Sequence, residues 1–537
     1  MKHLLTVAFS AIAAAALFAA APPVKAPTPR PAAAPVAEAD LTTVTYKVAD
    51  VMARIPDCEE FGAESKSAAL ARIVTLVVRS VGYNRGVAAW KDDKGPAEVQ
   101  VLGDAMVVRQ TARGHVMVAD LLARLRRVLA APAAPLPPEP AEIAAVRGRL
   151  GRKITAKFDS AGLPNVLDLI GQAANGLKIT CDPSIEEQGV DLKTRPVTLK
   201  VKDAPAETVL HFVLMPDLTY RIQSDGVLVT SRESVGLALE VYPVANIVLA
   251  AVRYYRADTG TPNEMIAISR PSEPLQQFLE LVRRTVSVGA DPETAAWTDE
   301  GGPAVLEYLA GALVVTQTPR GQERVAAMLA QLRQALAAAA QGKGARPQVA
   351  GIGGPSTPDA TAVATALAAK VEVHFKDTLL NQALDFLAEL KPGLNVLVER
   401  EAVGNAGIDL AERKTSLDAK QATRESVLSK MLGKELGYRI EPGCIVVTSR
   451  ERAIYPLALV MYPVADLRRG TDAQAWANAF ADALERAVNG KADANTAAWS
   501  TEGGPAMCEC FASVLLVTQT SQGHQKVAQF VAGLRRR

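Results

Sequence analysis

Between Val305 and Leu332 the chain shows two kinds of apolar patterning in succession. Val305-Leu306-Glu307-Tyr308-Leu309 and Leu313-Val314-Val315-Thr316-Gln317-Thr318 are β-branched and apolar runs separated by a break at Gly311, which predicts a β-hairpin. Val325, Met328, Leu329 and Leu332 then recur at spacings of three and four, the stripe of a helix that covers one sheet face. The same stripe returns at Val118, Leu121, Leu122 and Leu125, and at Val527, Phe530, Val531 and Leu534. Upstream, Leu275, Phe278, Leu279 and Val282 predict a second helix, and an opening Tyr-x-Val strand joins the same sheet.

Three copies share this frame. They open on Tyr46-Lys47-Val48, Tyr242-Pro243-Val244 and Tyr462-Pro463-Val464, and each later reaches a Trp from which the spacing is fixed. Trp90, Pro96, Gln110 and Gly114 answer to Trp297, Pro303, Gln317 and Gly321, and to Trp499, Pro505, Gln519 and Gly523. Fixed register over such a length marks a repeated structural unit. We name it A, with copies A1 (41–130), A2 (236–337) and A3 (454–537).

A second unit, B, occupies 151–235 (B1) and 369–453 (B2). Phe158, Leu163, Leu167, Ile170 and Leu177 match Phe375, Leu380, Leu384, Leu387 and Leu394, and Tyr220-Arg221-Ile222 matches Tyr438-Arg439-Ile440. The predicted order is strand, helix, strand, strand, helix, strand, strand. Strands fall at 154–158, 177–180 and 197–201, a helix at 163–173, and a closing hairpin turns at Asp225-Gly226. B1 resembles the short N-terminal domain of secretins and TonB-dependent receptors at Ile154 to Phe158, Pro164 to Ala173, Val197-Thr198-Leu199-Lys200-Val201-Lys202-Asp203-Ala204 and Tyr220-Arg221-Ile222. B2 departs from that pattern at Leu417-Asp418-Ala419-Lys420-Gln421-Ala422. The resemblance implies protein contacts in the periplasm and brings no enzymatic motif. The expected fold class is α+β: five small two-layer α/β-sandwich modules in the order A-B-A-B-A, with no membrane barrel.

Composition narrows the setting. Lys2 and His3 precede a small, apolar run from Leu4 to about Ala20, which reads as a signal peptide over 1–21 and implies a periplasmic or secreted protein. No later run is long and apolar enough to span a bilayer, so no transmembrane span is expected after cleavage. Pro- and Ala-rich linkers are expected at 22–40 and 131–150, and a Gly-containing one at 338–368. The B-to-A joints are short, which suggests that each B hairpin docks on the A copy that follows. Lys and Arg total 59 against 57 Asp and Glu, too even a balance for a nucleic-acid partner. Basic patches remain local, at Arg147 to Arg152 and at Arg535 to Arg537. Five cysteines make no disulfide framework in this length. Cys508 and Cys510 point to one face of a strand where A1 has Val99 and Val101, so both are expected as buried thiols.

No Ser-His-Asp, Cys-His or metal-spaced cluster can be assembled locally, so no catalytic residue, metal ligand or cofactor is assigned. His115 and His524 share a position that A2 fills with Gln322. Trp90, Trp297 and Trp499 are either glycan-stacking or structural. The candidate interaction surface is the outward row Arg221, Gln223, Arg439 and Glu441 on the closing hairpins of B. The expected function is a non-enzymatic scaffold or accessory component at the cell envelope, linked to secretion. Its partners would be envelope or secretion-system proteins, or further copies of itself. Binding of cell-wall glycan is the alternative, and an enzyme with a site assembled between modules ranks behind both.

Overall fold

The computed structural model describes residues 40–536 apart from 55–65, 82–86, 132–139, 188–189, 193–194, 216, 233–235, 258–272, 287–293, 341–347, 353–357, 454–456, 469–472, 490–495, 503 and 505. The expected signal peptide, nearly all of the first linker, and Cys58 lie outside the described residues. The chain is a mixed α/β protein of small sheets. Among the described residues no sheet closes into a barrel, and no helix is long and apolar enough to cross a membrane.

Each A copy builds one antiparallel sheet with the opening strand beside the last. In A1 the strand Leu41–Lys47 pairs with Ala105–Thr111, which pairs in turn with Glu98–Leu102. A2 repeats this with Ala238–Pro243, Ala312–Gln317 and Val305–Leu309, and A3 with Ala458–Pro463, Val514–Gln519 and Met507–Phe511. Helices Lys66–Val81 and Ala112–Ala130 lie on the A1 sheet, and their counterparts are Glu273–Val286 with Pro319–Ala340 and Ala473–Asn489 with Ser521–Arg535. The final helix of each copy starts where Thr111, Thr318 or Thr520 accepts the N–H of Gly114, Gly321 or Gly523 at 3.1 Å, which satisfies one of the free first-turn donors. A3 gains a fourth strand, Gln348–Ile352, from the segment expected to be linker.

Each B copy holds two sheets rather than one. In B1 a two-stranded ribbon joins Lys153–Gly162 to Pro196–Pro205, while Ile179–Cys181 runs parallel to Gly226–Ser231 in a separate three-stranded sheet. B2 repeats the ribbon with Lys370–Leu379 and Lys414–Thr423. Bulges at Ser160, Asp203, Asp377 and Gln421, all at positive φ, bend the ribbons at matched positions. The stretches assigned to linkers also contribute: Ala141–Leu150 and Pro358–Ala368 are helices whose Val146, Leu150, Val363 and Leu367 enter the cores of B1 and B2.

The packing between copies differs from the expected B-on-A docking. One core joins A1 helices to Leu239, Val241, Leu309 and Val314 on the A2 sheet. A second joins A2 helices to Leu459, Met461, Phe511 and Leu516 of A3. A third joins B1 to Leu397, Cys444 and Val446 of B2. The A copies therefore stack helix layer on sheet, and the B copies pack on each other. The reason lies in the A2 and A3 sheets, which are apolar on both faces and need cover on both. B1 meets A2 through polar contact, as in the Arg147–Glu323 pair at 2.9 Å.

Candidate functional site

The recurrent residues of A form a structural corner. In each copy the Gln side chain acts as a backbone substitute. Gln317 Oε1 accepts from the N–H groups of Ala295 (2.7 Å) and Thr318 (2.9 Å), while its Nε2 donates to Ala295 O (2.8 Å). Gln110 and Gln519 repeat this on Ala88 and Ala497. The following Gly is required because a Cβ at Gly321 would stand 2.0 Å from Gln317 Cγ. The staple holds the loop that carries the Trp.

Trp90, Trp297 and Trp499 are 2%, 1% and 1% exposed, sealed inside their copies. Trp297 donates its indole N–H to Arg283 O, and Trp499 to Glu485 O, both at 3.2 Å. A ring with no exposed face cannot stack on a sugar, so the three tryptophans take the structural role.

The histidines are structural as well. Tyr462 Oη lies 3.1 Å from His524 Nδ1, whose Nε2 lies 2.7 Å from Ala458 O. In A1 the corresponding distances are 3.0 Å from Tyr46 to His115 and 2.8 Å from His115 to Thr42 O. A2 makes the same network with Gln322, which accepts from Tyr242 at 2.8 Å and donates to Ala238 O at 2.6 Å. An amide can replace the ring because the site asks for one acceptor and one donor in opposite directions. Burial drives the His524 pKa down to about 4, against the opposing pull of backbone hydrogen bonds at Ala458 and Gln519, so the ring is neutral at pH 7.

In the charged row expected to face outward on the B hairpins, Arg439 does not do so. Arg439 turns inward, 13% exposed, to pair with Glu399 (3.2 Å) and Glu441 (3.0 Å), and Glu399 also takes Arg452 (3.1 Å) and the Thr448 hydroxyl (2.5 Å). Desolvation lowers the Arg439 pKa, but Glu441 and Glu399 outweigh it and hold the group above its ordinary value. Alternation along the strand placed Arg439 opposite Ile440, but the buried Glu399 carboxylate on the neighbouring segment gives the guanidinium an inward partner. In B1, Arg221 is half-buried with its Nε enclosed, and Gln223 is exposed at the hairpin end. Sequence reasoning missed Glu399; its counterpart by the B alignment, Asp182, is the signal that could have found it. Cys508 is buried as expected, whereas Cys510 is only half-buried, and its A1 counterpart Val101 is 50% exposed.

Where B1 meets B2 there is a groove of ≈ 1620 Å³. One wall is the B1 ribbon, with Lys157, Phe158 and Lys200; the other is B2, with Asp385, Asn395 and Leu397. Asn395 ties the walls together, accepting from Lys202 N–H (2.8 Å) and donating to Lys202 O (2.7 Å) and Gly443 O (2.8 Å). Gly443 sits at φ +79°, and a Cβ there would lie 2.8 Å from Pro205 Cδ, so the close approach of the copies needs glycine. Among the described residues no group of three or more His, Cys, Asp or Glu is placed to hold a metal ion.

No protein-family model matches the chain, and no curated protein matches it.

Proposed function

We propose that the chain is a non-enzymatic scaffold of five modules in the order A-B-A-B-A, exported to the cell envelope, where it binds proteins. The observation that carries this reading is the fate of the repeated polar and aromatic residues. The recurrent Gln, Tyr, His and Trp are consumed in holding corners, and the apolar faces are consumed in stacking one copy on the next. Such repeat stacks present long composite surfaces rather than a chemical centre. The B1–B2 groove supports the same reading. Its volume exceeds the roughly 300–1,000 Å³ usual for small-molecule pockets, and its rim mixes charges of both signs. A polypeptide segment suits that breadth. The resemblance of B1 to the secretin and TonB-receptor short domain, and the apolar run at residues 4–20, favour the envelope.

The test is recovery of partners from an envelope fraction with the wild-type chain and with a Lys157→Glu/Lys200→Glu variant at the groove rim. Both lysines border the groove on the exposed side of the ribbon. Lys200 also pairs with Glu389 of B2 at 3.1 Å, but the two side chains are 73% and 71% exposed, so its reversal removes only a screened surface pair and leaves the fold intact. The expected result is an envelope protein retained by the wild type and lost by the variant at unchanged thermal midpoint. Recovery of glycan alone, or hydrolytic activity in the purified chain, overturns the reading.

A further inference from the structure

The interface between A copies occurs twice within the chain, each time with the same parts. Arg79 of A1 pairs with Glu307 on the A2 sheet, and Arg284 of A2 pairs with Glu509 on the A3 sheet. The two arginines hold one position, each two residues before a buried valine, Val81 or Val286, at the end of its helix. The two glutamates also hold one position, each two residues before a buried apolar side chain that plugs the interface. Leu309 joins the core that contains Ile73 of A1, and Phe511 lies with its ring 6.0 Å from that of Phe278 of A2.

A third set of the same parts is left over at the two ends of the stack. On the A1 sheet the plug position is Leu102, which is 72% exposed, whereas Leu309 and Phe511 are each 2% exposed. Gln100 stands where Glu307 and Glu509 stand, and donates to Glu98 at 3.1 Å, so a carboxylate is still present on that face. Lys91 pairs with that carboxylate at 3.2 Å and Arg109 stands opposite it in the strand register, which makes the charge match weaker than in the two internal contacts. On the A3 helix layer Arg486, exposed, precedes buried Val488 as Arg79 precedes Val81. Phe480 takes the place of Ile73 and Phe278 but is 7% exposed, covered by Trp476 at 5.0 Å and Phe530 at 6.0 Å, so the apolar surface of this layer is the half-buried Trp476, Phe530 and Leu534. Among the described residues no sheet covers this layer.

We propose that a second copy of this chain supplies the missing half: the A3 helix layer of one molecule docks on the A1 sheet of the next. Leu102 fills the place of Leu309, and Arg486 meets Glu98 and Gln100. This rests on the scaffold reading and names one partner for it. The contact is head-to-tail, so each molecule keeps one face free and assembly continues unless rotation closes it. It is also weaker than the internal contacts. Positions held by Leu239 and Val241 in A2, and by Leu459 and Met461 in A3, are Thr43 and Thr45 in A1, so less apolar surface is buried and the association is reversible.

The full purified chain is measured by sedimentation and light scattering across a concentration series, alongside Leu102→Asp and Arg486→Glu. Both substitutions are at exposed side chains, and unchanged thermal midpoints confirm folding. The wild type should gain mass stepwise with concentration, and each variant should stay monomeric. An equimolar mixture of the two variants should give a dimer and nothing larger, because one variant keeps the A3 face and the other the A1 face. A wild type that stays monomeric, variants that assemble like it, or a mixture that does not stop at the dimer overturns the proposal. A monomeric wild type that still recovers a partner sensitive to the groove variant leaves the scaffold reading standing, and an assembling chain that recovers none removes that reading alone.

Discussion

Replacing His524 with Gln should remove a pH-dependent part of the stability of A3. The imidazole is buried between the opening strand and the final helix, with Tyr462 on one nitrogen and Ala458 O on the other. Desolvation holds its pKa at about 4 against an ordinary value of 6.5. A base whose folded pKa lies below its unfolded pKa stabilises the fold fully only above the unfolded value. As pH falls below 6.5 the unfolded chain takes the proton first, and stability drains away until the folded ring also protonates near 4. The gap corresponds to about 3 kcal/mol in full, of which about 2 kcal/mol is already lost at pH 5. Gln322 of A2 shows that an amide makes the same two hydrogen bonds without titrating. Denaturant unfolding followed through A3, at pH 7.5 and pH 5, should therefore show a smaller acid loss for His524→Gln than for the wild type, by about 2 kcal/mol. His524→Ala should be destabilised at both pH values, because Tyr462 and Ala458 O lose their partner. Identical acid responses of wild type and His524→Gln would refute the reasoning.

Gln317→Ala should cost about 2–4 kcal/mol by thermal unfolding, since it strips partners from two N–H groups and a carbonyl at once. Arg439→Glu should cost about 3 kcal/mol or more, as it sets a third carboxylate beside Glu399 and Glu441, and Arg439→Met should fall between it and the wild type. Cys508 and Cys510 should resist alkylation at pH 8 until the chain unfolds, because burial pushes the Cys510 thiol up to about 12 and Cys508 higher still; rapid labelling of the native chain would count against their place in the core.

Local elements were legible because local chemistry decides them. The hairpin at Val305 to Gln317 and the stripe at Val325 to Leu332 appear where their periods place them. Helix Leu163–Ala173 and the hairpin across Asp225-Gly226 also fall on their predicted bounds within a residue or two. The inward turn of Arg439 was not legible, since strand alternation assigns faces but cannot see a carboxylate arriving from another segment. Nor could composition distinguish a linker from the short helices at Ala141–Leu150 and Pro358–Ala368. Their apolar residues are few and matter only where a B core is there to receive Val146 or Leu367.

The pairing of copies was the largest difference, and its cause is visible in two strands. Ala312–Gln317 and Val514–Gln519 are buried at every position, whereas Ala105–Thr111 has half-buried Val107 and Arg109 on its outer side. A sheet that is apolar on both faces asks for two covering layers, and its own helices supply one. Short joints suggested the neighbouring B copy as the second layer, but proximity in sequence is a weak force beside burial. Closing the long stretch from Ala130 to Ala238 costs about 2 kcal/mol more than closing one a tenth as long. Covering Leu239, Val241, Leu309 and Val314 returns about 1.5–3 kcal/mol for each side chain. The apolar face therefore decides which copies meet, and the intervening B1 is carried outside the stack at small cost.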